Sequence, residues 1–188
     1  MAAEIEYAMR SRGSEGTAFE TVVASGPRSA YPHGCSTDRV IKSGDSVVLD
    51  LGAVYSGYRC DITRTLIVGE PSSRQAAVLK LLMEAEEEAF RAIREGVRAR
   101  DVDMSARRII EDGGFGEYFI HGLGHGVGLD IHEPPRLSSE SEDVLEGGNV
   151  ITDEPGVYMQ GFGARIEDTV LVHEKTGERL TKAGYFEC

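Results

Sequence analysis

Positive charge is in short supply in this chain. Among its 188 residues, Lys and Arg number 20 against 32 Asp and Glu, giving a formal net charge of −12 and a pI near 4.9. That deficit argues against a grip on nucleic-acid phosphate or on an anionic membrane surface, because each needs a basic face. Cysteine is scarce as well. Cys35, Cys60 and Cys188 are odd in number and widely spaced, so neither a disulfide framework nor a Cys-x-x-Cys zinc pattern follows. A reducing cytoplasm is the simplest setting. No apolar run approaches the roughly 20 residues of a membrane span. Acids interrupt the stretch Met1 to Arg10, which is therefore not expected to be a secretory leader. Repeats, low-complexity tracts and Pro/Ser/Gly-rich linkers are also missing, so one domain over residues 1–188 is expected. What remains is ordinary globular composition, 40% hydrophobic and 28% charged, sufficient for a well-filled core.

The pattern predicts an amphipathic helix over Ala3 to Arg10, with Ile5, Ala8 and Met9 on one face. Strand-like stretches are Phe19 to Ala24, Asp45 to Val54, Tyr58 to Val68, Val150 to Tyr158 and Ala164 to Val172. Two helices separate them. One follows Pro71-Ser72-Ser73, carries Val78, Leu81, Leu82, Ala85, Ala89, Phe90 and Ile93, and ends at Gly96. The other starts near an Asp101 cap, carries Val102, Ala106, Ile109 and Ile110, and stops at Gly113-Gly114. Hairpins separated by helices predict an α+β fold, with helices packed on a largely antiparallel sheet.

Both hairpins hold carboxylates where apolar residues are expected. Ser46 to Val54 is apolar except at Asp50, and its partner carries Asp61 near its start. A two-residue turn at Tyr55-Ser56 would set Asp50 directly opposite Asp61. A turn at Gln160-Gly161 would set Glu154 opposite Glu167. Facing like charges destabilise a sheet, and unpaired charges in an apolar strand cost more. Such pairs persist where a proton or a divalent cation sits between them. Alternation turns Asp153 and Asp168 to the other face, towards solvent or supporting partners.

Between the hairpins lies His121-Gly122-Leu123-Gly124-His125-Gly126-Val127-Gly128-Leu129-Asp130-Ile131-His132-Glu133-Pro134. Its four glycines reject a helix, and with it the His-Glu-x-x-His zinc helix. Three histidines beside four misplaced carboxylates indicate a metal centre. Four carboxylates and one imidazole fit a dinuclear site, with hard, oxygen-rich ligation suiting Mn²⁺, or Co²⁺, Fe²⁺ or Zn²⁺ by occupancy.

Seven short motifs, in order from Phe19 almost to the C-terminus, carry a resemblance. They are Tyr31-Pro32-His33, Leu49-Asp50-Leu51-Gly52, Asp61-Ile62-Thr63-Arg64-Thr65, Gly124-His125-Gly126-Val127-Gly128, Ile131-His132-Glu133, Glu154-Pro155-Gly156 and Arg165-Ile166-Glu167-Asp168. The chain resembles the catalytic domain of the pita-bread metallopeptidases, the family of methionine aminopeptidase, aminopeptidase P, prolidase and creatinase. Asp61-Ile62-Thr63-Arg64-Thr65 and the run Gly128 to Pro134 look like its Xaa-Pro-cleaving branch. The resemblance implies a pita-bread fold, a curved, mostly antiparallel sheet with helices on its outer face. It also implies a catalytic domain only, without the family's first helix or an N-terminal domain.

By the same resemblance Asp50, Asp61, His125, Glu154 and Glu167 are the metal ligands, two Mn²⁺ ions foremost. His33, His121 and His132 would contact substrate or support the ligands, and Arg165 and Tyr158 would buttress them. The implied reaction is hydrolysis of an N-terminal Xaa-Pro bond through a metal-bridging hydroxide, with Glu154 moving the proton and His121 or His132 facing the oxyanion. The implied partner is a peptide with proline in second position, and homologous domains commonly associate as homodimers. The competing readings are a non-catalytic interaction module, a methionine aminopeptidase and a creatinase-like hydrolase. His173 matches no motif and is expected at the surface, while Cys60 is expected to serve packing.

Overall fold

The alternating and helical periods in the sequence translate into short strands and three helices. The structure, a computed structural model, describes residues 1–185; Cys188 lies outside them. Helix α1 (Ala2–Ser11) matches the expected amphipathic segment, and none of its residues is fully buried. Strands β1 (Gly16–Thr17), β2 (Val22–Ser25), β3 (Ser46–Leu51), β4 (Ala53–Tyr55), β5 (Tyr58–Arg59) and β6 (Ile62–Ile67) follow. Then come α2 (Ser73–Ala92) and α3 (Ala99–Asp112). The last third holds β7 (Gly124–Gly126), β8 (Glu133–Leu137), β9 (Val150–Asp153), β10 (Gly156–Met159), β11 (Phe162–Arg165), β12 (Asp168–Val172) and β13 (Gly177–Arg179). All strand pairs are antiparallel, in sheets ordered β1-β4-β5, β2-β3-β6, β10-β11 and β13-β12-β9-β7-β8. None of the described helices is long and apolar enough to cross a membrane.

Helix α2 starts where Ser72 and Gln75 complete a capping box, the Ser72 side chain accepting the Gln75 N–H while Gln75 accepts the Ser72 N–H. Such a cap contributes about 1 kcal/mol. Helix α3 begins earlier than expected. Its cap is Arg98, without a side-chain bond, and Asp101 sits in the first turn near the positive end of the helix. Backbone bonds from Ala99 to Asp143 and from Leu145 to Val97 fix that start, and no sequence period reports them. The buried faces of α2 (Val78, Leu82, Ala85, Ala89) and α3 (Val102, Ala106, Ile110) close over Leu123, Leu137, Ile151, Val157, Ala164 and Val170 of the strands and loops beneath. Spacing by three and four residues is what gives each helix one apolar stripe.

Hairpin register is where the sequence reading divides. The β10–β11 pairing runs from Gly156↔Arg165 to Met159↔Phe162, which makes Gln160-Gly161 the turn, as expected. In the other hairpin Val54 pairs with Arg59 and Tyr55 with Tyr58, so the turn is Ser56-Gly57, one residue later than expected. Ser56 at φ 51° and Gly57 at φ 81° are both left-handed, the geometry of a tight hairpin turn that glycine favours. Glu15 secures it by accepting both N–H groups, at 2.9 and 3.0 Å. In consequence Asp50 faces Thr63, and Asp61 lies diagonally from it instead of directly opposite.

Candidate metal centre

Both turns point acids towards the same cavity. Asp50 is the penultimate residue of β3, Asp61 precedes β6, and Glu154 and Glu167 sit between the Gly156↔Arg165 and Asp153↔Asp168 pairs of one continuous register. His125 arrives from the middle of β7. That strand can approach β9 only because residue 124 is glycine; a Cβ there would collide with the Thr152 carbonyl. Asp103 and Arg107, one turn apart on α3, hold the incoming chain: Asp103 accepts the Leu123 N–H, and Arg107 donates to the carbonyls of Phe119 and His121.

The resulting cavity, about 720 Å³, is lined by His33, Asp50, Asp61, His121, His125, His132, Glu154, Arg165 and Glu167, among others. Atoms of Asp61, His125 and Glu167 lie within 4.8 Å of one another. His125 Nε2 is 3.3 Å from Glu154 and 3.8 Å from Asp61, while its Nδ1 faces the Gly126 carbonyl at 3.0 Å. A proton on Nδ1 leaves Nε2 free for a cation. Three buried carboxylate oxygens bordering the cavity have no hydrogen-bond partner among the described residues: Asp50 Oδ1, Asp61 Oδ1 and Glu167 Oε1. Orphaned carboxylate oxygens around one cavity, with an imidazole nitrogen among them, are the donor set a divalent ion requires.

The other oxygens of Asp50 and Glu167 are tied down, as is one oxygen of Glu154. Asp50 Oδ2 receives Arg165 Nη2 at 2.5 Å, and Arg165 also donates to Tyr158 Oη at 2.7 Å and to the Pro32 carbonyl. Thr63 Oγ1 donates to Glu167 Oε2 at 2.5 Å, and Thr152 Oγ1 donates to Glu154 Oε1 at 3.0 Å. The electrostatics record the crowding. Burial, then the charges of Asp50 and Glu154, push Asp61 up to about 8. Burial raises Glu167 well above the carboxylate range, with Asp61 adding to it. Burial also raises Asp50, against the pull of Arg165. Glu154 goes the other way, because the His125 hydrogen bond and the neighbouring cationic groups overcome its burial. Burial would lower His125, but Glu154 holds it above its ordinary value.

The remaining candidates divide by position. Tyr158 is buried behind the cavity, and burial pushes its hydroxyl up to about 12 despite Arg165. His121 contacts the Gly122 carbonyl through Nδ1 at 2.7 Å and Tyr158 Oη through Nε2 at 3.0 Å, so both ring nitrogens are engaged. Burial holds it below its usual range, favouring the neutral ring. His132 is exposed, edge-on to His125 with ring centroids 4.3 Å apart, and His33 is exposed in the turn after Pro32 that also lines the cavity. His173 is at the surface, paired with Glu178, as expected. Cys60 accepts the Ala53 N–H at 3.2 Å, a structural role.

Asp153 and Asp168 turn away from the cavity as expected, onto the buried face beneath α2 at 1% and 2% exposure. Of the two destinations expected for them, solvent is corrected, while Asp168 does meet supporting partners in Arg64 and Thr181. Sequence reasoning also missed Thr63, Thr152 and Arg136. Thr63 and Thr152 each stand two residues from a candidate ligand on the same strand face, a signal that alternation carries. Arg136 lines the cavity, is exposed, and has no carboxylate partner among the described residues.

A model described as metallopeptidase family M24 matches residues 1–174. A Xaa-Pro dipeptidase of Pyrococcus furiosus is 51% identical over 183 residues, 97% of this chain and 53% of that protein. The solved structure of a prolidase from Pyrococcus furiosus superposes with a TM-score of 0.96 at 51% identity, covering 97% of this chain and 55% of that one. An X-Pro aminopeptidase from Thermotoga maritima gives 0.96 at 45% identity, covering 98% and 53%. The α+β pita-bread architecture is thus the one the chain adopts, and it spans about half the length of the relatives it matches.

Proposed function

The chain belongs to metallopeptidase family M24, and from that premise we propose that it hydrolyses the bond between an N-terminal residue and a following proline. The names of its relatives, Xaa-Pro dipeptidase, prolidase and X-Pro aminopeptidase, support that substrate class. The observation that carries the reading is the convergence of three orphaned carboxylate oxygens with His125 in one cavity. Asp50, Asp61, His125, Glu154 and Glu167 would hold two divalent ions, Mn²⁺ foremost. When bound, such ions acidify water and polarise a carbonyl, which supplies a nucleophile and an electrophile near neutral pH.

The chain's own groups supply the rest. Glu154 is held ionised, and with Oε1 engaged by Thr152, its Oε2 is the atom that accepts a proton from water. The same atom returns it to the prolyl nitrogen, which as a tertiary amide must be protonated to leave. With both nitrogens of His121 engaged, His132 is the histidine that donates to the developing oxyanion. His121 instead orients the Tyr158 hydroxyl, and through Arg165 the Asp50 carboxylate. His33 forms the wall against the proline side. The unpaired Arg136 guanidinium is placed to receive the terminal carboxylate of a short substrate. Cys35 and Cys60 are free thiols, which fits the reducing cytoplasm proposed as its setting.

The test is an activity panel after chelation and repletion with Mn²⁺, Co²⁺ or Zn²⁺, with bound metal counted. About two Mn²⁺ per chain and cleavage of Gly-Pro, Ala-Pro or Xaa-Pro-Xaa peptides are expected. Cleavage of Met-Ala peptides in their place would make it a methionine aminopeptidase, and failure to take up metal would make it an interaction module.

A further inference from the structure

We propose that Thr63 is a positioning residue whose hydroxyl decides which oxygen of Glu167 is presented to a divalent ion; the inference rests on the metal-centre reading above. Thr63 is fully buried in β6. Arg165 Nε donates to its Oγ1 at 3.0 Å, and Oγ1 lies 2.5 Å from Glu167 Oε2. A guanidinium can only donate, so it occupies a lone pair of the hydroxyl and leaves the single hydroxyl proton one destination. That destination is Glu167 Oε2. The terminal torsion of a glutamate is broad and roughly two-fold, so without this bond either oxygen could turn inward. With it, Oε2 is spoken for and Oε1, buried and unpartnered, is the oxygen that remains.

The backbone adds a second restraint, since the Glu167 N–H donates to the Thr63 carbonyl at 3.0 Å. Residue 63 thus fixes Glu167 at both ends of its side chain. The choice of a neutral hydroxyl also has an electrostatic consequence. Arg165 already holds Asp50 directly; a second direct guanidinium contact to Glu167 would neutralise the charge an ion needs. Thr63 transmits the orientation of Arg165 to Glu167 without its positive charge. Because Asp50 belongs to one hairpin and Glu167 to the other, the chain Asp50–Arg165–Thr63–Glu167 ties the two halves of the centre together.

The experiment compares Thr63→Val, Thr63→Ala and Thr63→Ser with the unaltered chain, by calorimetric titration of the chelated protein with Mn²⁺ and by thermal unfolding of each metal-free form. Removing the hydroxyl is expected to weaken Mn²⁺ binding about 10- to 100-fold, the range for groups that support a metal ligand. Thr63→Ser should remain within a few-fold of wild type, because it keeps the donor. Thr63→Ala serves where Thr63→Val does not fold. Unchanged Mn²⁺ affinity in the folded hydroxyl-free variants would overturn the inference alone. So would a serine variant as weak as valine, which would assign the effect to the methyl group's packing. A wild-type chain that takes up no Mn²⁺ would overturn the metal-centre reading together with this inference.

Discussion

Glu154 and Glu167 face the cavity, whereas their chain neighbours Asp153 and Asp168 face α2, so the same two strand connections place acid on both sides of one sheet. On the cavity side, only Asp50 of the four carboxylates is paired with a guanidinium, that of Arg165, and three of their oxygens have no partner. Beneath α2, Asp168 has built-in partners: Arg64 at 2.8 Å, Thr181 at 2.6 Å and Arg179 at 3.8 Å. Arg64 also bonds the carbonyls of Glu167 and Ala183, closing the region against water. Glu86, fully buried on α2, accepts the Tyr185 hydroxyl, and both oxygens of Asp153 are unpartnered. Acid that is sealed in must find its positive charge or its proton within the chain. Both sides hold unpartnered oxygens, Glu86 Oε1 and those of Asp153 beneath α2 included, but only acid that borders a cavity can draw cations from solution, and there the open space and the His125 nitrogen make a candidate centre.

The largest expected break in this contrast is on the cavity side. Glu167→Ala should lower peptidase activity more than about 100-fold, beyond the 10- to 100-fold typical of groups that only support a ligand. The metal-free variant should nevertheless unfold at a higher temperature than metal-free wild type, since a buried carboxyl that burial and its acidic neighbours hold out of its ordinary ionised state is gone. Bound Mn²⁺ should protect the wild type, by about 2.7 kcal/mol at a hundred-fold excess over Kd, and should not protect the variant. Melting curves with and without Mn²⁺ check both signs. A variant still stabilised by Mn²⁺ to the wild-type extent would remove Glu167 from the centre.

Asp168→Ala should invert that pattern. Arg64 and Asp168 are both nearly buried, with side-chain exposures of 7% and 3%, so deleting one partner strands the other. Breaking such a pair typically costs about 3–5 kcal/mol. Denaturant titration should show that loss in metal-free and metal-loaded protein alike, while the number of Mn²⁺ ions bound stays at the wild-type value. A variant of wild-type stability would mean that the two faces do not divide the labour as described.

That division was only half legible in the sequence. Alternation correctly turned Asp153 and Asp168 away from Glu154 and Glu167, but a strand pattern cannot say whether its far face meets solvent or a helix. Here α2 covers it, bringing Glu86 with it. The Gln160-Gly161 turn was readable because glycine stands at the position needing positive φ. The first hairpin slipped by one residue because Gly57, the residue suited to a left-handed conformation, was placed after the turn instead of in it. Asp50 and Asp61 still share a face, since 61 and 63 have the same parity, so the slip leaves both acids directed at the cavity. Strands β7 and β8 left no readable period: one is Gly-His-Gly, and the other carries two prolines, tolerated because β8 lies at the sheet edge. Thr63 and Thr152 could have been found by asking which residues flank each acid on its own face.

The smallest expected effect isolates the proton beneath α2. Burial first, and the nearby Asp168 charge with it, push Glu86 up to about 8, although the Tyr185 hydrogen bond opposes the shift. The carboxyl therefore binds its proton more tightly in the folded chain than in the unfolded one, where its ordinary value is 4.5. The stability this gives is fully present below about pH 4.5 and is lost as pH rises through about 8. One proton's difference corresponds to a slope of about 1.4 kcal/mol per pH unit at most. Glu86→Gln keeps an acceptor for Tyr185 and a donor towards Asp168, yet cannot ionise. Its unfolding free energy should lack that contribution to the slope between pH 5 and pH 8, and Mn²⁺ stoichiometry should be unchanged. An unaltered slope would mean that Glu86 is already ionised in the folded chain, leaving Arg179 as its counter-charge.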